Sequence, residues 1–275
     1  MSNFPIIHRI QGRSLPVNAY VVESSDALVL VDSALTVSDG RAVRDRIRAL
    51  GKSLVGAIVT HAHPDHYGAL IEVIDDTRVP VVALEGVDSA IRRQDADKER
   101  ILRPMFGDEW PRQRLFPNRT VWDGDSVSFD GISFTVEDLG PGESPYDSIW
   151  MLEGTDAVFV GDLVYNHMHA YLADGYWAQW LRNIDTARSV LAPGAVLFPG
   201  HGDRATIGQL DWQEHYIRTF IDALMQTREA ATSEAAVEQV TAAMKRYLPA
   251  EDLLFLMQLS VPPLWAAGRT ISTGG

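Results

Sequence analysis

The chain has 275 residues, 46% hydrophobic and 22% charged, the balance of a folded globular protein rather than a disordered one. Its formal net charge of −13 repels phosphate backbones and anionic lipid, so nucleic-acid and membrane-surface partners are not expected. It has no cysteine, which excludes disulfides, thiolate zinc sites, iron–sulfur clusters and cysteine nucleophiles; a metal must be held by His, Asp and Glu.

The first residues show no basic stretch leading into an apolar one, and no run of about 20 apolar residues occurs, so a cytoplasmic protein is expected. In chain order, residues 6–10, 18–23 and 27–31 read as strands separated by polar or glycine-containing turns. Residues 39–50 read as an amphipathic helix: Val43, Ile47 and Leu50 recur at helical spacing, Arg44, Arg46 and Arg48 are polar, and Gly51 is a stop. A buried strand is predicted at 54–60, a helix from Pro64-Asp65 to Ile74, and a strand at 79–84. This alternation points to α/β layering.

Residues 86–118 are charge-rich, helical at first and then broken at Pro104, Pro111 and Pro117; they are expected to form an insert or lid over one face. Short strands follow at 127–129, 132–138, 148–152 and 157–160, then a helix at 175–191 and a strand at 195–199. From 211 to 259 the chain reads as helical. The expected division is a catalytic domain over 1–210 and a helical C-terminal extension over 211–275 packed on it. Two β-rich halves, each followed by helices, suggest two sheets face to face with helices outside. Periodicity alone does not separate that from other α/β layouts.

One segment dominates the chemistry: Thr60-His61-Ala62-His63-Pro64-Asp65-His66, at the exit of an apolar strand. Residues two apart in an extended segment point the same way, so His61 and His63 can share one ion. Asp65 and His66 open a helix, where the chain turns back and can offer a second ion a carboxylate and an imidazole. Such ligands suit zinc, iron or manganese. The chain has 8 histidines in all, so three of them beside an aspartate within six positions is more than a polar turn.

The pattern His61-x-His63-x-Asp65-His66 resembles the signature of the metallo-β-lactamase superfamily. Asp32 after an apolar run, Gly161-Asp162 after 158–160, and Pro199-Gly200-His201-Gly202 after 196–198 resemble that family's further motifs in the same order. The resemblance spans about residues 6–205. It implies an α/β fold of the αββα-sandwich type with a dinuclear centre at one end of the sheets. Where the family carries a histidine in a Gly-His-Thr-Pro-Gly-His-like segment, this chain has Leu139-Gly140-Pro141-Gly142-Glu143-Ser144. The Pro-Gly frame is kept, and Glu143 takes the histidine's place, similar to alkylsulfatase relatives. The competing reading is an exposed Glu143, with the first ion loosely held or absent.

The resemblance thus implies two divalent ions, zinc first, with manganese or iron as alternatives. His61, His63 and Glu143 would hold one, Asp65, His66 and His201 the other, and Asp162 would bridge them. Two such ions can share a hydroxide near neutral pH, so no serine or cysteine nucleophile is needed. Asp65 is also a candidate catalytic residue, orienting that hydroxide or moving a proton. Counting Glu143, Asp65, Asp162 and the hydroxide against two divalent ions leaves a formally neutral centre, poorly suited to anionic substrates.

After Asp162, the side chains of Tyr165, His167 and His169 are candidate catalytic groups at the pocket mouth, as hydrogen-bond donors to substrate or oxyanion. For the two histidines a surface or supporting role competes. His8 and His215 are isolated, and His215 reads as a surface residue. Tyr176, Trp177, Trp180 and Leu181, and the apolar run 253–259, read as core or a homodimer contact, or else as a hydrophobic substrate wall.

The leading expectation is a metal-dependent hydrolase of a small ester, lactone or related acyl substrate, with a small molecule as its partner. A sulfate-ester hydrolase, a thioesterase or a β-lactamase-like hydrolase would use the same centre. An iron-dependent oxidoreductase of the persulfide dioxygenase kind is a second class. A catalytically inert sensor is a third, opposed by ligand-capable side chains at all seven positions.

Overall fold

Two six-stranded sheets face one another in the computed structural model, which describes residues 5–272. The first sheet keeps chain order: β1 (Ile6–Gln11), β2 (Asn18–Glu23), β3 (Ala27–Val31), β4 (Ser53–Ile58), β5 (Val81–Leu84) and β6 (Arg119–Val121). β1 to β3 form an antiparallel meander, and β3 to β6 run parallel. The parallel strands are joined by α1 (Val37–Leu50), by the short α2 (Pro64–Tyr67) and α3 (Leu70–Val73), and by α4 (Glu85–Phe106) with the loop after it. α1 begins where Thr36 Oγ1 accepts from Asp39 N and ends where Gly51 turns left-handed at φ 70°.

The second sheet comprises β7 (Ser126–Phe129), β8 (Ile132–Gly140), β9 (Asp147–Leu152), β10 (Ala157–Tyr165), β11 (Val196–His201) and β12 (Ala205–Thr206). Its pairs are antiparallel except β10–β11, which α5 (Trp177–Val190) connects. The chain closes with α6 (Gln209–Gln226), α7 (Ser233–Tyr247) and α8 (Leu254–Ser272). β3 and β10 are buried along their whole length, as expected for central strands covered on both faces.

The facing sheets meet through aromatic contacts. Tyr20 of β2 lies 5.5 Å from Phe159 of β10 and 5.5 Å from Phe198 of β11, ring centre to ring centre. A second core lies between the outer face of the second sheet and α5–α8, with Trp180, Tyr216, Phe220 and Met257 fully buried in it. Among the described residues no helix is long and apolar enough to cross a membrane.

The helix expected over 64–74 is two pieces. Ala69 N bonds the carbonyl of Ala34 at 2.8 Å instead of continuing the helical ladder, and that interrupts it. The break expected at Pro104 is absent: α4 continues to Phe106, because a proline in the last turn forfeits one hydrogen bond only. Pro262 and Pro263 likewise lie inside α8. The helical stretch after 211 is three helices, and β10 runs five residues beyond the predicted end at 160, to Tyr165.

β3, β4, β10 and β11 bring their C-terminal ends to one edge of the sandwich. Val31 is in register with Ile58, and Tyr165 with His201. A bridge between His61 and Asp147 ties the two sheets together at this edge.

Candidate metal centre

Each of the seven expected ligands is delivered to that edge by a strand end or a tight turn. His61 follows β4; His63 caps α2, whose first residue is Pro64; Asp65 and His66 lie within α2. His201 ends β11. Asp162 sits where the register between β10 and β11 shifts, beside Gly161 at φ 49°. Glu143 lies in the turn between β8 and β9. The Asp147 carboxylate organises that turn, accepting from Glu143 N at 2.6 Å and from Ser144 N at 3.1 Å.

All seven side chains are buried and fall into two groups. His61, His63, Glu143 and Asp162 bring one donor atom each to within 4.8 Å of one another, and so do Asp65, His66 and His201. In the first group His61 Nε2 lies 3.6 Å from Glu143 Oε2 and 3.9 Å from Asp162 Oδ2, and His63 Nδ1 lies 2.8 Å from Glu143 Oε2. In the second, His201 Nε2 lies 3.3 Å from Asp65 Oδ2 and 3.3 Å from Asp162 Oδ2, and His66 Nε2 lies 3.5 Å from Asp162 Oδ1. Ligand atoms about 2.0–2.1 Å from a tetrahedral ion stand about 3.3 Å apart, close to most of these spacings.

His61 Nε2, His66 Nε2, Glu143 Oε2 and Asp162 Oδ1 are buried without an aligned hydrogen bond, Glu143 Oε2 having only the 2.8 Å ion-pair contact with His63 Nδ1. Orphaned polar atoms are rare in protein interiors and call for an explanation. Four of them converging on one spot, with spacings suited to shared coordination, fit divalent cations.

The opposite ring nitrogens are all engaged. His61 Nδ1 meets Thr60 Oγ1 at 3.1 Å, His63 Nε2 meets Asp174 Oδ2 at 3.1 Å, His66 Nδ1 meets Asp32 Oδ2 at 2.8 Å, and His201 Nδ1 meets the carbonyl of Pro16 at 2.9 Å. Such bonds orient the ring and fix which nitrogen is free for a metal. Asp32 holds a left-handed backbone at φ 57° and also accepts from Thr60 N and Thr60 Oγ1, so it anchors β4 as well as His66. Gly200 must lack a side chain: a Cβ there would stand 2.0 Å from Asp162 Oδ1 and 2.5 Å from His66 Cε1.

The electrostatics match a cation site. Burial pushes Glu143 up to about 8, against the pull of His63. Burial acts to lower His201, but Asp162 and Asp65 outweigh it and hold it up at about 10. Burial drives His61 well below the ordinary imidazole range, in the neutral form a metal needs. Asp162 stays well below the ordinary carboxylate range, because His201 and His66 overcome its burial. In the metal-free chain, protons thus do part of the charge balancing that cations would do.

A cavity of about 210 Å³ opens over the cluster, lined by His63, Asp65, Asp162 and His201 and by α4 and α8. The segment expected as a lid contributes the end of α4 to its wall. Tyr165 lines it too, donating to Glu143 Oε1 at 2.9 Å. The structure does not bring the other two expected groups, His167 and His169, to the cavity lining. His167 is exposed and packs on Trp212, at 5.3 Å between ring centres. His169 is buried in the helical layer, bonded to Tyr216 Oη at 2.9 Å and to the carbonyl of Ala250 at 3.1 Å. Trp180 is core, donating to the carbonyl of Leu163, and not a cavity wall. Asp147 and Asp174 escaped the sequence reading: Asp147 opens β9 and turns its carboxylate back on the preceding turn, and Asp174 acts from a loop that only the fold brings near His63.

The order of the motifs and the geometry agree with a comparison of the whole chain. A family model described as the metallo-beta-lactamase superfamily matches residues 12–201. The chain belongs to the metallo-beta-lactamase superfamily. Among curated relatives of this superfamily member, the "Probable metallo-hydrolase YqgX" of Bacillus subtilis (strain 168) is 25% identical over 206 residues, 72% of this chain and 93% of the relative. A shorter match, 30% identical over 77 residues, 27% of this chain and 12% of the relative, is to the (R)-specific secondary-alkylsulfatase of a Pseudomonas species. A beta-lactamase domain protein from Burkholderia ambifaria has the same fold, with a TM-score of 0.66 at 20% identity over 98% of this chain and 88% of that one. The DIM-1 metallo-beta-lactamase also shares it, with a TM-score of 0.61 at 21% identity over 80% and 95%. This superfamily member is a metal-dependent hydrolase.

Proposed function

We propose that the chain is a dinuclear hydrolase, working with zinc, on an ester, lactone or related acyl compound. The observation that carries this reading is the convergence of four buried donor atoms that lack an aligned hydrogen bond, with Asp162 reaching both groups of ligands. His61, His63 and Glu143 would hold one ion and Asp65, His66 and His201 the other, with Asp162 between. Bound there, such ions supply Lewis acidity and a water nucleophile at neutral pH.

The remaining roles fall to the chain's own groups. Asp65 lines the cavity. Its carboxyl lies well below the usual range: burial acts to raise it, and His66 and His201 outweigh that. It is the carboxylate available to orient the attacking water and carry its proton to the leaving group. Burial, with the charges of Asp162 and Glu143, pushes the Tyr165 hydroxyl well above its ordinary value, so it remains a hydrogen-bond donor. The cavity's apolar walls, from α4 and α8, flank the reacting centre.

The short match to an alkylsulfatase favours sulfate-ester hydrolysis as a second reading. The test is metal analysis of protein purified without added metal, then assay of lactones, carboxylic esters, thioesters, sulfate esters and β-lactams. About two zinc per chain and turnover of acyl substrates are expected. Preference for sulfate esters would move the assignment to the second reading. A single iron per chain with oxygen consumption would overturn both.

A further inference from the structure

The cavity over the cluster is built unevenly. Its floor is polar, and the wall above comes from two helices whose facing residues are almost all aliphatic or aromatic. Lys98, Ile101, Leu102 and Met105 recur at helical spacing along one face of α4, and Phe255 and Leu259 face them from the first turns of α8. Ile101, Met105, Phe255 and Leu259 are 55%, 62%, 48% and 53% exposed. They are four of the eight large hydrophobic side chains left exposed among the described residues, and all four line this cavity. In so acidic a chain, apolar side chains gathered at one rim mark a binding surface rather than chance exposure. The rim is continuous with Asp65, Asp162 and His201, so its occupant also reaches the candidate metal centre.

The wall offers almost nothing to recognise hydroxyls or amides, which argues against a sugar or peptide. Its exception is Lys98, half-buried, with no hydrogen bond or ion pair at contact distance although its charge acts on the Asp174 carboxylate; it is the one lysine or arginine lining the cavity among the described residues. Resting on the hydrolase reading, we infer that the substrate carries an aliphatic chain lodged between the end of α4 and the start of α8, with Lys98 meeting the oxygen-bearing group at the chain's head. Met and Leu side chains adapt to such a chain at little conformational cost. Each methylene buried should then strengthen transition-state binding up to about fourfold, until the cleft is filled.

The experiment has a catalytic arm and a binding arm, both on the zinc-loaded protein. In the first, p-nitrophenyl esters from acetate to decanoate are compared. The expected result is kcat/KM rising with chain length, a slope flattened by Leu259→Asp, and a lower rate on every chain length with Lys98→Met. In the second, 1-butanol and 1-octanol are titrated by calorimetry, and octanol should bind more tightly in the wild type and not in Leu259→Asp. Chain-dependent alcohol binding without ester turnover would support the cleft while removing the acyl-hydrolase reading. Turnover of acetate with a flat chain-length profile and no octanol binding would overturn the inference and leave the hydrolase standing. A dimer in sedimentation that Leu259→Asp separates, with no octanol binding, would overturn it in favour of a second copy of the chain on this rim.

Discussion

Tyr165 donates its hydroxyl hydrogen to Glu143 Oε1 at 2.9 Å, which leaves Glu143 Oε2 as the oxygen facing His61 and His63. The same Tyr165 ring stacks on His201, 5.0 Å away and tilted by 9°. One side chain therefore touches a candidate ligand in each of the two groups, and Glu143 comes with a hydrogen bond that holds it.

Tyr165→Phe keeps the ring and removes the hydroxyl. The affinity of the first ion should fall about 10- to 100-fold, the usual cost of losing a group that orients a ligand, with the second ion less affected. Competition titration against a chromophoric chelator measures both sites. Unchanged affinity at both would remove Tyr165 from the support of Glu143.

Asp32→Asn is the matching test on the other side. Asparagine tolerates the left-handed backbone at φ 57°, so the turn survives while the charge beside His66 Nδ1 is lost. The second ion should bind about 10- to 100-fold more weakly, with unchanged circular dichroism. Asp32→Ala should also destabilise the fold, by about 1–3 kcal/mol, because the buried Thr60 N and Oγ1 lose their acceptor.

Asp162→Ala should reduce occupancy of both sites together. Its Oδ2 faces both groups, toward His61 of the first and His201 of the second, and its Oδ1 faces His66 of the second. Loss of one ion at unchanged affinity for the other, seen by elemental analysis after dialysis, would place Asp162 with a single site.

A pH dependence follows from His201. Its folded-state value of about 10 lies above the ordinary 6.5, so protonated His201 stabilises the metal-free fold fully below 6.5, and that contribution is lost as pH rises toward 10. A bound cation replaces the proton and removes the loss. The rise in Tm on adding zinc should therefore be larger at pH 8.5 than at pH 6.5, by scanning fluorimetry. An equal or smaller rise at the higher pH would contradict this assignment.

The sequence was most informative where ligands are local. His61, His63, Asp65 and His66 fall within six residues, and strand alternation alone directs the first two the same way. Glu143 was legible through its Pro-Gly frame, but what holds it was not: Asp147 and Tyr165 reach it by backbone geometry and by the extension of β10. His167 and His169 misled because closeness to Asp162 along the chain does not carry into space. At His167 the backbone turns left-handed, φ 57°, just after β10 ends, and His169 is drawn to Tyr216 of α6. Pro104 misled because a proline near a helix end need not terminate it.

The bridge between His61 and Asp147 marks where two chain halves are riveted together. Four ligand-capable residues come from the first half, His61 through His66, and three from the second, Glu143, Asp162 and His201. An ion spanning His63 and Glu143 closes a loop of about 80 residues, a cross-link in all but covalency. The ions would then govern the order in which the molecule comes apart. With metal, amide hydrogens of β4 and β10 should exchange together in one global opening. Chelated, the two sheets should open separately, the half with fewer internal contacts first.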